Sequence, residues 1–73
     1  MQPLVSVIIP VYNSARTIDR CIRSVINQDF LNWEIIVVDS DSSDDTEDLV
    51  KEWCTKLGDK CRYYKIRQRF QAA

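Results

Sequence analysis

A chain of 73 residues holds at most one domain, and a domain this small buries too little surface to be more than marginally stable alone. Hydrophobic residues make up 45% and charged residues 29% of the chain, which is typical of a globular protein and excludes a disordered one. The formal net charge of −1 excludes a broadly basic surface, so the composition predicts no nucleic-acid binding.

Charged residues are unevenly distributed along the second half of the chain. Seven acids and one base lie between Asp39 and Glu52, whereas six bases and one acid lie between Lys56 and Arg69. Charge runs of this kind usually form solvated faces of a folded protein. We therefore interpret them as two solvent-exposed surfaces.

The cysteines and the apolar runs indicate the compartment. Cys21, Cys54 and Cys61 have no metal-binding spacing, and the chain has no histidine to complete a site. No signal peptide pattern follows Met1, and no apolar run approaches the roughly 20 residues that span a bilayer. These observations predict reduced thiols in a cytoplasmic protein.

The first half of the chain predicts a strand followed by a helix. Residues 4–9 are rich in β-branched side chains, and Pro10, which lacks an N–H, is expected at the end of that strand. Asn13 or Ser14 is a candidate helix cap. A single apolar stripe with helical spacing follows and fades at residues 27–29; it comprises Ile18, Cys21, Ile22, Val25 and Ile26.

The second half repeats this order and adds a strand. Residues 33–38 form an apolar run, and the polar residues 39–45 after it predict a loop. Ser43 or Asp44 is a candidate cap for a helix that Gly58 should close. Residues 61–66 predict a third strand. The helix is indicated by apolar residues at Leu49, Val50, Trp53, Cys54 and Leu57.

The order β-α-β-α-β predicts parallel strands joined by right-handed crossovers. The runs at 7–9 and 35–38 lack polar alternation, which is typical of strands buried on both faces. Two crossovers that step the same way place both helices on one face of the sheet. The other face would then be uncovered within 73 residues. We expect a piece of a larger domain, which forms a homo-oligomer through that face if it folds alone.

Candidate ligand-binding residues follow the strands, because open α/β sheets bind ligands beyond their carboxyl ends. Tyr12 offers an aromatic ring, and Asn13 offers either an amide for a ligand or a plain helix cap. Asp39 offers a carboxylate for ribose hydroxyls or a base N–H, or else for amides of its own loop. Arg67 and Arg69 are placed to meet a diphosphate, or they belong to a solvated tail.

Three blocks in order resemble the opening of family 2 inverting glycosyltransferases. They are Val5-Ser-Val-Ile-Ile-Pro-Val-Tyr-Asn13, Cys21-Ile-Arg-Ser-Val-Ile-Asn-Gln28 and Trp33-Glu-Ile-Ile-Val-Val-Asp-Ser-Asp-Ser-Ser-Asp-Asp-Thr46. The resemblance implies that residues 1–73 are the nucleotide-binding front of a GT-A domain, a three-layer, Rossmann-like α/β fold with a parallel sheet. It implies that the parent protein transfers a sugar from a nucleoside-diphosphate sugar, of UDP or dTDP type, to an acceptor hydroxyl.

The resemblance also implies which residues contact the nucleotide. The first contacting segment corresponds to Pro10, Val11, Tyr12 and Asn13, and the second to Asp39, Ser40 and Asp41. The family's usual second block reads Asp-Asp-Gly-Ser, so this chain lacks the second carboxylate. It also carries Asp41 in place of a glycine that tolerates positive φ. The choice of nucleotide therefore stays open.

Later elements of the family have no counterpart in this chain. They are the Asp-x-Asp motif, which holds Mg²⁺ or Mn²⁺ against the diphosphate, and the carboxylate that acts as general base. Without them, displacement at the anomeric carbon loses its main electrostatic and proton-transfer assistance. We expect no catalytic or metal-binding residue here, an inactive fragment, and a metal-dependent parent enzyme.

Two other functions compete with this interpretation. In a receiver-like signalling domain, Asp39 would accept a phosphoryl group, but such domains need acids after the first strand, where this chain has Pro10-Val-Tyr-Asn13. In a non-catalytic interaction module of the same fold, the uncovered sheet face would bind a partner.

Overall fold

The computed structural model describes residues 4–28 and 32–67. They form strand β1 (Val5–Val11), helix α1 (Ile18–Ile26), strand β2 (Trp33–Asp39), helix α2 (Thr46–Leu57), a 3-10 turn (Gly58–Lys60) and strand β3 (Cys61–Lys65). The strands lie in one sheet in the order β1-β2-β3, and both neighbouring pairs are parallel. The Rossmann-like β-α-β-α-β fold predicted from the sequence is confirmed.

The carboxyl ends of the three strands are level with one another. Val11 is the register partner of Asp39, and Asp39 is in turn the partner of Lys65. Because the strands are parallel, the chain segments that follow them all emerge at the same edge of the sheet. This edge carries the candidate site.

The hydrophobic core lies between the two helices and one face of the sheet. Ile35 and Val37 of β2 are fully buried, as are Ile22 of α1 and Val50 of α2. The apolar stripes predicted for the helices supply their half of this core, which confirms the helical spacing. The other core residues are Ile9, Val11, Ile18, Val25 and Cys61.

The opposite face of the sheet is not covered by either helix. Ile8 of β1 retains 64% of its exposure and Tyr64 of β3 retains 50%. Ile36 and Val38, on the central strand between them, are half-buried. The sequence argument that both crossovers step the same way is therefore confirmed. The homo-oligomer expected from the uncovered face stays a prediction.

Pro10 does not end β1 but lies inside it, where Val38 is its register partner. Val5 donates to the carbonyl of Asn32 at one end of β1, and Val11 accepts from Ser40 at the other. Odd-numbered residues of β1 therefore bond to β2, and the ring nitrogen of Pro10 faces away from that ladder. The missing N–H costs no hydrogen bond to β2, which is why the strand continues to Val11.

The first helix begins later than its predicted caps. Thr17, rather than Asn13 or Ser14, occupies the N-cap of α1. The carbonyl of Ser14 accepts from the amides of Thr17 and Ile18 at 3.0 and 2.9 Å, so a separate turn precedes the helix. That turn provides an acceptor for the backbone amides of Thr17 and Ile18, which a side-chain cap would otherwise bond.

The second helix also begins late, but it ends as predicted. Asp45, rather than Ser43 or Asp44, occupies the N-cap of α2. Gly58 closes the helix with φ of 61°, a conformation that glycine adopts without strain. None of the helices in the described part of the chain has the length and hydrophobicity that crossing a bilayer requires.

Candidate functional site

Two loops lie side by side at the carboxyl edge of the sheet. The β1–α1 loop comprises residues 12–17 and the β2–α2 loop residues 40–45. The amide of Ser40 donates to the carbonyl of Val11 at 3.0 Å, which extends the β1–β2 pairing into the start of the second loop. Both loops therefore leave the sheet from a fixed common position.

Asn13 joins the two loops through its backbone and its side chain. Its amide donates to the hydroxyl of Ser42 at 2.8 Å, and its side-chain oxygen accepts from the amide of Ser43 at 2.8 Å. Asn13 has φ of 48°, a left-handed conformation that asparagine tolerates better than most residues. The Asn13 side chain was expected to cap a helix or bind a ligand, and its oxygen instead accepts hydrogen bonds between the two loops.

A second set of bonds joins the loops near the start of α2. The amide of Ser14 donates to the hydroxyl of Thr46 at 2.8 Å, and the amide of Ala15 donates to Oδ2 of Asp44 at 3.2 Å. The Thr46 hydroxyl in turn donates to Oδ1 of Asp44. This bond, more than the backbone amides, holds the pKa of Asp44 below its usual value. Thr46 is fully buried, whereas Asp44 is exposed, so only the Thr46 end of this connection lies in the core.

Asp39 is fully buried, and donors within the chain surround its carboxylate. Oδ1 accepts from the amide and the hydroxyl of Ser42 at 2.9 and 2.6 Å, and Oδ2 accepts from the hydroxyl of Tyr63 at 2.6 Å. Burial raises the pKa of Tyr63, and the hydrogen bond to Asp39 raises it further. In this geometry the carboxylate fixes the β2–α2 loop to β3.

The predicted nucleotide-contacting residues divide into exposed and buried ones. Tyr12 has 39% of its surface exposed, and Asn13 and Asp41 are exposed beside it. Val11 and Ser40 are buried, at 5% and 4% exposure, and the carbonyl of Val11 and the amide of Ser40 are bonded to each other. Four of the exposed loop residues form an open surface, which we call the loop shelf: Tyr12, Asn13, Asp41 and Ser43.

The remaining candidates lie around this shelf. Pro10 is exposed, and its neighbours in β1 on either side, Ile9 and Val11, are buried in the core. Because side chains alternate along a strand, Pro10 lies on the uncovered face of the sheet. Arg67 is exposed and lies just beyond the carboxyl end of β3, on the edge that carries both loops. Arg69 lies outside the described residues.

Asp41 takes the left-handed conformation that a glycine would favour, with φ of 64°. The loop therefore keeps the backbone expected of a glycine at this position, at the cost of some strain. Its carboxylate lies 3.9 Å from Nζ of Lys65, which also contacts Glu47 at 2.7 Å. The hydrogen bond that Lys65 donates to Glu47 is the main cause that raises the pKa of Lys65.

The described residues do not offer a complete metal site. No group of three or more histidine, cysteine or acidic side chains lies close enough together in residues 4–28 and 32–67 to hold an ion. Asp39 and Asp41 are two residues apart, but the first is buried among its hydrogen-bond donors and the second is exposed. Asp39 and Asp44 accept hydrogen bonds from loop residues, and Asp41 lies near Lys65 of β3.

Sequence reasoning missed the residues that hold the loops in place. Thr46 and Tyr63 were not among the candidates, and Ser42 was considered only as one of several loop hydroxyls, although the hydroxyls of all three connect both loops and β3. A partial signal was available, since alternation along β3 places Tyr63 on the same face as Cys61 and Lys65. Its partner could not be identified without the register between β2 and β3.

Relatives with curated descriptions share this part of the chain. Over 50 residues, or 68% of this chain, it is 50% identical to the UDP-Glc:alpha-D-GlcNAc-diphosphoundecaprenol beta-1,3-glucosyltransferase WfgD of Escherichia coli. Over 62 residues, or 85% of this chain, it is 42% identical to the GalNAc(5)-diNAcBac-PP-undecaprenol beta-1,3-glucosyltransferase of Campylobacter jejuni. The chain spans 20% of the length of each.

Solved structures share the fold. A mannosyltransferase of Pyrobaculum calidifontis, solved in complex with GDP-Man and Mn²⁺, matches all of this chain with a TM-score of 0.84 at 32% identity. The TarS protein of S. aureus, in a structure of its residues 1–349, matches 94% of the chain with a TM-score of 0.76 at 32% identity. The chain covers 22% and 20% of these two structures.

The family comparison agrees with both sets of relatives. Residues 6–73 match the family described as Glycosyl transferase family 2, which is nearly the whole chain. The parallel sheet and the paired loops at its carboxyl edge correspond to the front part of a GT-A domain. The chain belongs to glycosyl transferase family 2.

Proposed function

We propose that the whole protein transfers a sugar from a nucleoside-diphosphate sugar to an acceptor hydroxyl, and that this chain supplies the nucleotide-binding part. The observation that carries the proposal is the pair of loops at the carboxyl edge of the sheet. Hydrogen bonds from Asn13 to Ser42 and Ser43 hold them together. Parallel α/β sheets bind ligands at this edge.

The loop shelf has groups suited to a nucleoside. The half-exposed ring of Tyr12 offers a stacking surface for a base, and Asp41 offers acceptors for ribose hydroxyls or a base N–H. Arg67, at the end of β3, supplies a positive charge for the diphosphate. Asp39 contributes indirectly, because its buried carboxylate holds the loop that carries Asp41.

A uridine or thymidine diphosphate sugar is the proposed donor. The name of the Escherichia coli relative specifies UDP-Glc, whereas the Pyrobaculum structure contains GDP-Man. One aromatic ring can stack with any base, so the choice of a pyrimidine follows the Escherichia coli relative. Direct competition between UDP, dTDP and GDP distinguishes these donors.

The chain alone is proposed to bind the nucleotide without transferring the sugar. A divalent cation, Mn²⁺ in the Pyrobaculum structure, would neutralise diphosphate charge in the whole enzyme. The described residues supply neither a cluster for that ion nor a group assigned as general base. We propose that both come from the remainder of the protein, since the chain spans about a fifth of its relatives.

The proposed location is the cytoplasm. Cys21, Cys54 and Cys61 are all free thiols, which is the usual state of cysteines in a reducing compartment. A nucleotide-sugar donor and reduced thiols can occur together in the cytoplasm, so the proposed function agrees with this location. Fractionation of cells that express the whole protein tests this location.

Two competing functions predict different ligands. A receiver-like domain needs Asp39 accessible to a phosphoryl donor, and the burial of Asp39 argues against that role. An interaction module would use the exposed side chains of Ile8 and Tyr64 and ignore nucleotides. The transferase proposal is favoured because the loops, rather than the sheet face, carry the polar groups.

Amide chemical shifts recorded during titration with UDP, dTDP and GDP test the proposal. We expect shifts concentrated at residues 11–13 and 40–43, with the tightest binding for UDP or dTDP. Replacement of Tyr12 by alanine should weaken binding by about tenfold, from the loss of one base–aromatic stack. No response to any nucleotide would contradict the proposal and favour the interaction module, and reaction of Asp39 with acetyl phosphate would favour the receiver.

Tyr64 provides the matched control. Its ring is also exposed, at 50%, but it projects from the uncovered face of β3 rather than from a loop. Tyr64→Ala should leave nucleotide affinity unchanged. An equal loss in both variants would mean that the ring of Tyr12 does not contact the base.

A further inference from the structure

Two cysteine sulfurs are in contact on the side of the molecule away from the loop shelf. Sγ of Cys54, in the last turns of α2, donates to Sγ of Cys61, the first residue of β3, at 3.4 Å. Both are free thiols. The chain between them contains the 3-10 turn Gly58–Lys60, which brings β3 back alongside the helix.

The two thiols differ in accessibility. Cys54 is half-buried, whereas Cys61 is only 4% exposed. Burial raises the pKa of the Cys61 thiol to about 12, and the bond from Cys54 adds to this effect. An oxidant from solution therefore meets Cys54 first, and Cys61 is the neighbouring thiol that can react with the product.

A disulfide is the chemistry that this pair fits. The two sulfurs, 3.4 Å apart, are already close to the roughly 2 Å separation of a disulfide bond. Metal binding fits less well, because the described residues contain no third ligand beside the pair. Cys21, on α1, takes no part in the contact.

We propose that Cys54 and Cys61 form a reversible intramolecular disulfide by exchange with a low-molecular-weight disulfide such as glutathione disulfide. The Cys54 thiolate attacks one glutathione sulfur, the S–S bond breaks, and one glutathione leaves as a thiolate that takes up a proton. Cys61 then gives up its proton as its sulfur attacks the Cys54 sulfur, and the second glutathione leaves as a thiolate that takes up a proton. The two protein thiols lose two electrons and two protons, and glutathione disulfide is reduced to two molecules of glutathione.

The bond links the C-terminal part of α2 to the start of β3. Tyr63, two residues further along β3, holds the carboxylate of Asp39. Oxidation thus anchors the strand that supports the β2–α2 loop, while the loop shelf at the far end of the sheet stays open. We expect a more stable protein whose nucleotide affinity changes little.

The experiment treats the folded chain with glutathione disulfide, quenches with N-ethylmaleimide and maps the products by mass spectrometry. The number of free thiols should fall from three to one, and Cys21 should be the labelled residue. Without the label, the oxidised monomer should be lighter than the reduced one by two hydrogen atoms, and after labelling it should carry one N-ethylmaleimide group instead of three. Its thermal unfolding midpoint should be higher, because the native fold already brings the sulfurs together.

Single variants distinguish the proposed order of events. Cys61→Ser should stop at a stable glutathione adduct on Cys54, whereas Cys54→Ser should leave Cys61 unmodified in the folded chain. Cys21→Ser should form the disulfide like the original protein. Cys61→Ala serves as the second variant if Cys61→Ser fails to fold, as judged by circular dichroism.

Four outcomes would overturn the proposal. They are three labelled thiols after treatment, a bond that includes Cys21, disulfide-linked dimers in place of the internal bond, and a lower unfolding temperature in the oxidised chain.

Discussion

The hydroxyl of Tyr63 lies 2.6 Å from Oδ2 of Asp39, and this bond joins β3 to the residue from which the β2–α2 loop begins. Asp39 is completely buried, and the other oxygen of its carboxylate receives two bonds from Ser42. The conformation of the loop shelf thus depends on the bond between Tyr63 and Asp39, although neither residue belongs to the shelf. Because buried carboxylates need their donors, this small network is sensitive to single substitutions.

Tyr63→Phe removes the hydroxyl that donates to Asp39, so Oδ2 of this buried carboxylate loses its hydrogen-bond donor. We expect the free energy of unfolding to fall by about 1–3 kcal/mol, the usual cost of an unpaired buried polar group. Urea unfolding followed by circular dichroism measures this change. Tyr64→Phe is the matched control, since the Tyr64 ring is half-exposed, and it should change stability by less than about 0.5 kcal/mol. Equal effects would contradict the assigned role of Tyr63.

The same tyrosine predicts a dependence on alkaline pH. The pKa of Tyr63 is raised above its ordinary value of 10.0, first by burial and then by Asp39. Above pH 10 the unfolded chain loses this proton while the folded chain keeps it, so stability falls as pH rises from there. Tyr63→Phe should lack this part of the alkaline loss. Parallel denaturation curves for the two proteins from pH 9 to 11 check the expectation, and identical slopes would contradict it.

Ser42→Ala removes one of the hydrogen bonds between the two loops and one that the Asp39 carboxylate accepts. The Ser42 hydroxyl donates to Asp39 at 2.6 Å and accepts from the amide of Asn13 at 2.8 Å. We expect a loss of about 1–2 kcal/mol in stability, together with weaker nucleotide binding. Ser43→Ala is the control, because its exposed hydroxyl makes only a 3.3 Å bond to Asn13. A larger effect at Ser43 than at Ser42 would reverse our assignment of the bridging hydroxyl.

Asp41 tests the backbone requirement of the β2–α2 loop. At φ of 64°, a β-branched side chain is strained, whereas glycine is not. We expect Asp41→Gly to be more stable than Asp41→Val by about 1–2 kcal/mol. Thermal unfolding of the two variants measures the difference. Equal stability would mean that the loop changes conformation to accommodate valine.

Glu47 predicts a dependence on acidic pH. Hydrogen bonds from Lys51 and then Lys65 lower the pKa of Glu47 from 4.5 to about 2. The stabilisation is therefore present above pH 4.5 and is lost as pH falls toward about 2. The stability difference between the original protein and Glu47→Gln should be greatest at neutral pH and vanish near pH 2.

The ion pairs of Glu47 are solvent-exposed, so the effect should be small and should decrease with added salt. Urea unfolding at several pH values and two salt concentrations measures it. Glu52→Gln, at an exposed position of the same helix, serves as the control variant. A difference that stays constant from neutral to acidic pH would contradict the assignment to Glu47.

The uncovered sheet face predicts self-association of the isolated chain. Ile8 and Tyr64 present apolar surface there, and burial of such surface favours contact between two copies. Light scattering should show a molecular mass that rises with concentration, and Ile8→Lys should lower it. Thr55→Lys, at an exposed position of α2, serves as the control. A monomer at all concentrations would contradict this prediction.

Much of the fold was predictable from the sequence because its signals are local. The apolar runs of β1 and β2 and the helical spacing of α1 and α2 each depend on neighbouring residues. Together with the right-handed crossover rule, these patterns were sufficient to predict a parallel sheet with both loops at one edge. The positions of helix starts were less accurate, because several polar residues in each loop are equally suited to cap a helix.

The roles of individual residues at the site depended on tertiary structure. The sequence alone determined that Asp39 ends a buried strand beside Tyr12, and so indicated where a ligand would bind. Only the register between β2 and β3 decided that Asp39 is buried against Tyr63, and only the path of the 3-10 turn brought Cys54 to Cys61. Such contacts join residues on different elements, and no periodicity within one element encodes the distance between them.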